Sequence, residues 1–188
     1  EVFRATGPVA GTHYWVKMGC TKDGKIVAAE AELKFQTGPF TGSMFFNAPQ
    51  AMFTRYEIEN IDVVSWEAVC NRPKVNAFRA PCVPQIVFGV EGLVNEMAQK
   101  TGMDPIDFRL KNAMKEGSTT VYGQTFGPIG FVETLNEAKK HPHYTAPLGP
   151  NQGRGIAAGF WFNRGGETTG SLNIAPDGSV TIMVGTPD

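Results

Sequence analysis

The amino-acid sequence predicts an α+β fold, a two-layer arrangement of antiparallel β-hairpins with the helices grouped in the middle of the chain. The first reason is the order of the local patterns: strands are followed by helices and then by strands, without the strand–helix alternation of α/β folds. The second is composition, because leucine is scarce among the 188 residues while Val, Ile and aromatic residues, which favour strands, are abundant. The third is the content of 22 glycines and 13 prolines, which indicates many turns.

The first predicted element is a β-hairpin. Its first arm covers residues 14–20 and its second covers 27–36, along which apolar and polar residues alternate as on a half-buried strand. Asp23 and Gly24 between the arms predict the turn, since glycine adopts the positive φ that a tight hairpin requires. The next segments are a Gly/Pro loop at 37–43, a stretch that is either helix or loop at 44–53, and one or two strands within 58–70.

Helical periodicity replaces the two-residue period in the middle of the chain. The first helix is indicated by apolar residues at i, i+4, i+7, i+8 and i+11, namely Ile86, Val90, Leu93, Val94 and Met97. A second helix begins after Asp104, a capping residue followed by Pro105 at the first helical position, and runs to about residue 114. A third covers 129–140 and ends before Pro142, because proline cannot extend a helix.

A Pro- and Gly-rich linker at 145–153 divides the chain into two parts, 1–144 and 154–188. In the second part, alternation of Ile156, Ala158, Phe160 and Phe162 predicts a strand. Segments 172–174 and 180–184 around an Asp-Gly turn predict another hairpin. Because the sequence begins at Glu1 and stops at Asp188 directly after a strand, we expect it to be an excerpt of a longer polypeptide.

Charge and hydropathy exclude several classes of protein. The formal net charge is -1 and no segment concentrates Lys and Arg, which excludes a nucleic-acid partner. No apolar run approaches the roughly 18 residues of a membrane span, so we expect no membrane association. The three cysteines show no C-x-x-C spacing and are too few to staple a chain of this length. This pattern favours a reducing compartment, and we expect a cytoplasmic protein.

The motifs of several common site types are incomplete. His141 and His143 have no third metal ligand nearby in the sequence, so we expect a solvated loop and no metal site there. Residues 153–159 are similar to a dinucleotide-binding fingerprint, but a strand is predicted where a helix would have to receive the pyrophosphate. No Gly-x-Ser-x-Gly motif is present.

One loop, residues 76–85, contains side chains that could bind a ligand and directly precedes the first predicted helix. Its prolines stiffen the backbone, and the guanidinium of Arg79 offers donors suited to anions or carbonyl groups. An exposed helix N-terminus also attracts negative charge. From these features alone, the loop either holds a phosphate-bearing cofactor or merely caps the helix.

This loop and the two helices after it resemble a known family. Residues 77–85 read Ala-Phe-Arg-Ala-Pro-Cys-Val-Pro-Gln, followed by Phe88, Glu91 and Ala98, and residues 102–112 contain Gly-x-Asp-Pro-x-Asp-x-Arg-x-x-Asn. The same motifs in the same order are typical of the molybdenum-binding subunit of the xanthine oxidase, xanthine dehydrogenase and aldehyde oxidase family. Segments 23–28, 153–157 and 177–180 fit that subunit as well.

The resemblance implies a molybdenum hydroxylase, an oxidoreductase that hydroxylates a small-molecule aldehyde or N-heterocycle with oxygen from water. It implies a molybdenum–molybdopterin cofactor, in bacteria commonly the cytosine dinucleotide form, with iron–sulfur clusters and FAD on partner domains or subunits. It identifies 1–144 as part of the first molybdopterin-binding domain and 154–188 as the start of the second. The family's glycine-rich cofactor loops and catalytic glutamate fall outside this sequence. We therefore expect no catalytic residue here, and an isolated chain that binds no cofactor and is inactive.

The resemblance also indicates site residues. Phe78, Arg79 and Ala80 match the segment whose backbone approaches the molybdenum and its pterin. Ala80 stands where carbon monoxide dehydrogenases of the family carry a cysteine, which argues against that activity. The expected substrate pocket includes Pro81, at a position that is aromatic in xanthine oxidases, Cys82, which replaces a glycine, and Asn47, at the position of a purine-binding arginine. Purine is therefore disfavoured as the substrate.

Three alternatives remain open at this point. Cys82 is either a small buried filler or a thiol near the site, and free cysteine mostly behaves as a small hydrophobe. The whole chain is either part of an active enzyme or a catalytically silent assembly domain of the same fold. A reductive relative that acts on an aromatic thioester is the third possibility.

Overall fold

A computed structural model describes residues 5–162 and 167–185. The remaining residues, which include the predicted chain end at 186–188, lie outside the described part. The strands and helices in chain order are β1 (Thr12–Cys20), β2 (Ile26–Gly38), α1 (Asn47–Ala51), β3 (Asn60–Val69), α2 (Val83–Thr101), α3 (Pro105–Asn112), α4 (Phe131–Lys140), α5 (Pro142–Thr145), β4 (Gly170–Ile174) and β5 (Val180–Val184). This order confirms the α+β class and the grouping of the helices in the middle of the chain.

The predicted N-terminal hairpin is present. Strands β1 and β2 pair antiparallel, and the turn is closed by a hydrogen bond from Thr21 N to the Lys25 carbonyl at 2.8 Å. Gly24 in the turn has a φ of 85°, which confirms the positive φ predicted at this glycine. Residues Ala29, Ala31, Leu33 and Phe35 of β2 are buried, as the alternation predicts.

Strand β3 departs from the predicted arrangement of hairpins, because it pairs parallel to β2 in a sheet of order β1–β2–β3. A parallel neighbour needs a crossover of a dozen or more residues, and the segment between Gly38 and Asn60, which contains α1, provides it. The antiparallel hairpin arrangement therefore holds for β1–β2 and for β4–β5 but not for β2–β3. The ambiguous stretch 44–53 forms loop and the short helix α1.

Helix α2 covers one face of this sheet. Its residues Ile86, Val90 and Val94 are fully buried in the same core cluster as Leu33 and Phe35 of β2. Gly89 allows the close approach, because a Cβ there would lie 2.6 Å from Cε2 of Tyr14. The burial of this apolar face holds the helix N-terminus, and the loop that precedes it, at one end of the sheet.

The cap predicted for helix α3 is confirmed: the Asp104 carboxylate accepts hydrogen bonds from Ile106 N at 2.8 Å and Asp107 N at 3.1 Å. At the other end of the helix, the Asn112 amide bridges to the first hairpin, accepting from Ile26 N and donating to the Gly24 carbonyl, each at 2.8 Å. The predicted helix at 129–140 is α4, which begins at Phe131 and ends as expected at Lys140.

The strand predicted at 156–162 is not present. Residues 153–162 belong to no β ladder and lie as an extended segment against α2 and α3. The Ile156 carbonyl accepts hydrogen bonds from the side chains of Asn95 and Arg109, both at 3.1 Å, and Ala158 N donates to Glu91 at 2.7 Å. Burial alternates along 156–162 as the sequence pattern predicts. The backbone of this segment, however, forms hydrogen bonds with side chains of α2 and α3 and not with a neighbouring strand.

The C-terminal hairpin is confirmed, with β4 and β5 paired antiparallel from Gly170–Val184 to Ile174–Val180. Its apolar side chains remain exposed in the described structure: Leu172, Ile174, Val180, Ile182, Met183 and Val184. No helix in the described ranges combines the length and apolar character that crossing a membrane requires.

Candidate functional site

The loop between β3 and α2 lines a cleft of about 880 Å³, and five consecutive residues, 77–81, form its wall together with Trp161. Phe78 is 51% exposed, and the Arg79 side chain is exposed as well. Within the described ranges Arg79 forms no side-chain hydrogen bond or ion pair. Its guanidinium is therefore free to bind an anion or a carbonyl group that enters the cleft.

The backbone of this loop is strained at two positions. Ala80 has a φ of 56° and Cys82 a φ of 65°, left-handed conformations that residues other than glycine rarely adopt. Each costs of order 1–3 kcal/mol and persists only where the surrounding structure imposes it, typically at ligand sites. The turn is closed by a hydrogen bond of 3.1 Å from Val83 N to the Ala80 carbonyl.

Both ends of the loop are anchored in the body of the fold. On its N-terminal side, Val75 N donates to the Thr37 carbonyl at 3.2 Å and Asn76 N donates to the Pro8 carbonyl at 3.0 Å. On its C-terminal side, the buried Val83 begins α2. The loop is therefore a rigid support for the side chains at 78–81.

Cys82 lies behind the cleft wall. The side chain is 5% exposed and packs in the main core cluster, and it is not among the residues that line the cleft. Burial, followed by the negative charge of Glu67, raises the pKa of the thiol to about 11. A neutral, buried thiol favours the interpretation of Cys82 as a small residue that fills the core over that of a thiol near the site.

Asn47 is also separate from the cleft. It is the first residue of α1, is fully buried and does not line the wall formed by residues 77–81. Of the six residues indicated by sequence, the structure therefore brings four to one cleft surface: Phe78, Arg79, Ala80 and Pro81. The other two, Asn47 and Cys82, are buried and lie outside this lining.

Trp161 is the cleft residue that sequence reasoning missed, because it was assigned only a face of a predicted strand. It is 41% exposed, and its ring lies 5.4 Å from that of Phe162. The neighbouring rings form further edge-on or tilted contacts, Phe162 with Tyr122 at 5.6 Å and Phe160 with Phe126 at 5.9 Å. The run of three consecutive aromatic residues after a glycine-rich linker was the available signal.

A buried charge network lies between α2, α3 and the 153–162 segment. Its centre is Glu91, which is 3% exposed and receives hydrogen bonds from two buried arginines, Arg55 and Arg109. The Tyr56 hydroxyl donates to the same carboxylate at 2.7 Å. Burial, and then the Glu91 charge, raises the pKa of Tyr56 well above its ordinary value, which keeps the hydroxyl a donor.

The site offers features that suit a large, phosphate-bearing organic group. Besides the exposed Arg79 and the cleft volume, Gln85 in the first turn of α2, which does not line the cleft itself, has a buried amide whose Oε1 and Nε2 find no hydrogen-bond partner within the described ranges. A buried amide without a partner is costly, so Gln85 offers a donor and an acceptor to a group outside the described chain. Metal ligands are not gathered here: the described residues contain no cluster of three His, Cys, Asp or Glu side chains suited to an ion.

Comparison with known proteins identifies a family to which this sequence is similar. The sequence profile of the molybdopterin cofactor-binding domain matches residues 1–113. The chain is 34% identical over 128 residues to the nicotinate dehydrogenase large molybdopterin subunit of Eubacterium barkeri, covering 66% of this chain and 30% of that protein. It is 29% identical over 184 residues to the aldehyde oxidoreductase of Megalodesulfovibrio gigas, covering 89% and 20%.

The fold matches solved structures as well. The crystal structure of the aldehyde oxidoreductase from Desulfovibrio desulfuricans superposes with a TM-score of 0.78 and 27% identity, covering 94% of this chain and 21% of that one. The chain thus spans between 20% and 30% of the length of these three relatives.

Proposed function

Because the chain belongs to the molybdopterin cofactor-binding domain family, we propose that it is part of the large subunit of a molybdenum hydroxylase. The proposed reaction is hydroxylation of a small aldehyde or N-heterocycle with oxygen from water. The relatives support both substrate classes, since one is named a nicotinate dehydrogenase and the other an aldehyde oxidoreductase. The observation that carries the proposal is the exposed Arg79 on a strained, anchored loop that lines a cleft.

The proposal also assigns parts of the chain to two domains and a linker. Residues 1–144 are part of the first molybdopterin-binding domain, 145–153 are a linker, and 154–188 begin the second domain. The family match at 1–113 supports the first assignment. The lack of helix or strand between Thr145 and residue 153 supports the linker.

The residues of the cleft are assigned separate tasks. Arg79 binds a phosphate or carbonyl oxygen of the cofactor through its guanidinium, which is suited to such planar, multiple contacts. Phe78 provides an apolar wall that excludes water, and the left-handed Ala80 holds the backbone between them in one conformation. When bound, the molybdenum–molybdopterin group supplies water activation and accepts two electrons.

Substrate is proposed to lie between Pro81 and Trp161, whose side chains present apolar surface to the cleft. A planar aromatic or heteroaromatic ring suits the indole of Trp161, because offset stacking orients the ring as well as binding it. Asn47 and Cys82 do not line the cleft, and we propose that they affect the substrate pocket from their buried positions. Small changes there alter the loop position, since protein cores tolerate little change in volume.

Proton transfer needs residues from elsewhere in the enzyme. Among the described residues that line the cleft, Arg79 carries the one titratable side chain, and a guanidinium does not accept a proton at neutral pH. We therefore propose that the isolated chain neither retains the cofactor nor turns over. The complete enzyme is proposed to be cytoplasmic, with the cytosine dinucleotide form of the cofactor and with iron–sulfur clusters and FAD on partner domains or subunits.

A substrate screen of the intact subunit, purified with its partners, tests the proposal. Dye reduction is measured with matched pairs of aldehydes and N-heterocycles, alongside the metal content of each preparation. We expect dye reduction with at least one of the two classes, proportional to molybdenum content. Full molybdenum loading without activity on either class would instead favour the silent assembly domain, and activity restricted to an aromatic thioester would favour the reductive relative.

A further inference from the structure

The two carboxylate oxygens of Glu91 serve different parts of the fold. Oε1 accepts hydrogen bonds from Arg55 Nε at 3.2 Å and from the Tyr56 hydroxyl at 2.7 Å, both in the segment that follows α1. Oε2 accepts from Arg109 Nη2 at 2.9 Å and from Ala158 N at 2.7 Å. Only the Oε2 side therefore reaches the extended segment at 153–162.

Asn95 and Arg109 extend this attachment along the segment. The Asn95 amide accepts from Arg109 Nη2 at 2.8 Å and donates to the Ile156 carbonyl at 3.1 Å. Arg109 donates to the same carbonyl at 3.1 Å. Two backbone groups, Ile156 O and Ala158 N, are thus held by a rigid set of charged and amide side chains, and charge-assisted hydrogen bonds of this kind are the strong ones.

Trp161 follows Ala158 by three residues and stands in the cleft with residues 77–81. We infer that Glu91, Asn95 and Arg109 are positioning residues, which hold the segment at 156–158 and thereby place the indole of Trp161 opposite the Arg79 loop. The inference rests on the proposed function for the cleft itself. It also assigns a role to Glu91 and Arg109, which belong to the sequence motifs but do not line the cleft.

The consequence concerns substrate binding. A side chain that is already held in its bound position loses little conformational freedom when a ligand arrives, so preorganisation improves affinity. A looser segment would leave Trp161 in place only part of the time. Substrates that stack on the indole then lose binding, whereas substrates too small to reach it do not.

Asn95 and Tyr56 provide a matched pair of variants for the test. Asn95→Ala removes the contacts to Ile156 and Arg109 but leaves the Glu91 carboxylate with all of its donors, and Asn95 is only half-buried. Tyr56→Phe removes a donor from the Oε1 side of the same network, away from the 153–162 segment. Each variant is made in the intact subunit with its partners.

Hydrogen–deuterium exchange of the peptide covering 154–162 gives a readout that does not depend on activity. For Asn95→Ala we expect exchange about five- to tenfold faster there, the effect of losing one or two hydrogen bonds. With an aromatic aldehyde we expect KM to rise about three- to tenfold at nearly constant kcat, and with acetaldehyde no change. For Tyr56→Phe, exchange at 154–162 and both KM values should equal those of the wild type.

Unchanged exchange at 154–162 in Asn95→Ala overturns the inference. An equal effect of Asn95→Ala and Tyr56→Phe on exchange and on KM also overturns it, because a network that only stabilises the fold would respond to the loss of either side chain. Molybdenum content is measured on every preparation. A wild-type subunit without molybdenum contradicts the proposed function, while the exchange comparison still decides whether the network holds the segment.

Discussion

The carboxylate of Glu91 accepts a hydrogen bond of 2.7 Å from the backbone N–H of Ala158, across a sequence separation of 67 residues. This contact joins the long helix behind the cleft to the segment that carries Trp161. It also lies beside two buried guanidinium groups, those of Arg55 and Arg109. One buried carboxylate therefore accepts hydrogen bonds from three separate stretches of the chain, two of which bring a buried guanidinium.

Replacement of Glu91 by Ala is expected to destabilise the protein strongly. Arg55 and Arg109 would keep their buried charges without the carboxylate, and breaking a buried ion pair in this way costs about 3–5 kcal/mol. Urea unfolding gives the change in the free energy of unfolding. Glu96→Ala, on the same helix, is the control: its ion pair with Lys100 is exposed, and its loss should cost less than about 1 kcal/mol. Equal losses in the two variants would show that the buried network does not carry the stability assigned to it.

Replacement of Ala80 by Gly is expected to stabilise the loop. Ala80 has a φ of 56°, where a Cβ is strained and glycine is not, so relief of the strain should add about 1 kcal/mol, less the entropy that glycine gains in the unfolded chain. Ala77→Gly in the same loop is the matched control, because Ala77 has no positive φ and its replacement should be destabilising. Thermal unfolding of both variants measures the difference. A lower stability for Ala80→Gly would contradict the strain assigned to this position.

Acid sensitivity is expected to depend on Glu67. Burial raises the pKa of this carboxyl, but hydrogen bonds from Ser43 and Gly42 outweigh that effect and lower the pKa from 4.5 to about 2. A carboxyl with a lower pKa in the folded state stabilises the protein fully above the unfolded-state value. That contribution is lost as the pH falls from about 4.5 towards about 2.

The measurement for Glu67 is the free energy of unfolding between pH 7 and pH 2.5, for the wild type and for Glu67→Gln. The variant should be less stable at pH 7 and should lose less stability on acidification, so that the two curves converge at low pH. Glu59→Gln, at an exposed position, should follow the wild-type curve. Parallel curves for the wild type and Glu67→Gln would show that the Ser43 contact does not stabilise the folded state.

Local signals were sufficient for much of this fold. The Asp-Gly turns predicted both hairpins, and Asp104-Pro105 predicted the start of α3, because caps and turns are decided by a few neighbouring residues. Four of the site residues expected from the motif at 77–85 line one cleft, and their contact with a cofactor or substrate stays a prediction. Each of these features depends on short stretches of chain.

The remaining features depend on contacts between distant residues. Whether β3 lies parallel or antiparallel to β2 is decided by the path of the crossover, and alternation along each strand is the same in both cases. The alternation of apolar residues at 156–162 is the same whether the backbone of this segment pairs with a strand or with side chains of a helix. Trp161 was missed for that reason. Arg55 carries no sequence signal for its burial, because its partner Glu91 lies 36 residues away.

The molybdenum content of the purified intact subunit, compared between the wild type and Arg79→Ala, tests whether the Arg79 loop holds the cofactor. We expect molybdenum in proportion to subunit in the wild type and a severalfold lower content in the variant, with unchanged thermal stability because the Arg79 side chain is exposed. Arg72→Ala, an exposed arginine outside the cleft lining, should retain the wild-type content. Equal molybdenum content in all three proteins, or none in any of them, would contradict the assignment of the Arg79 loop to the cofactor.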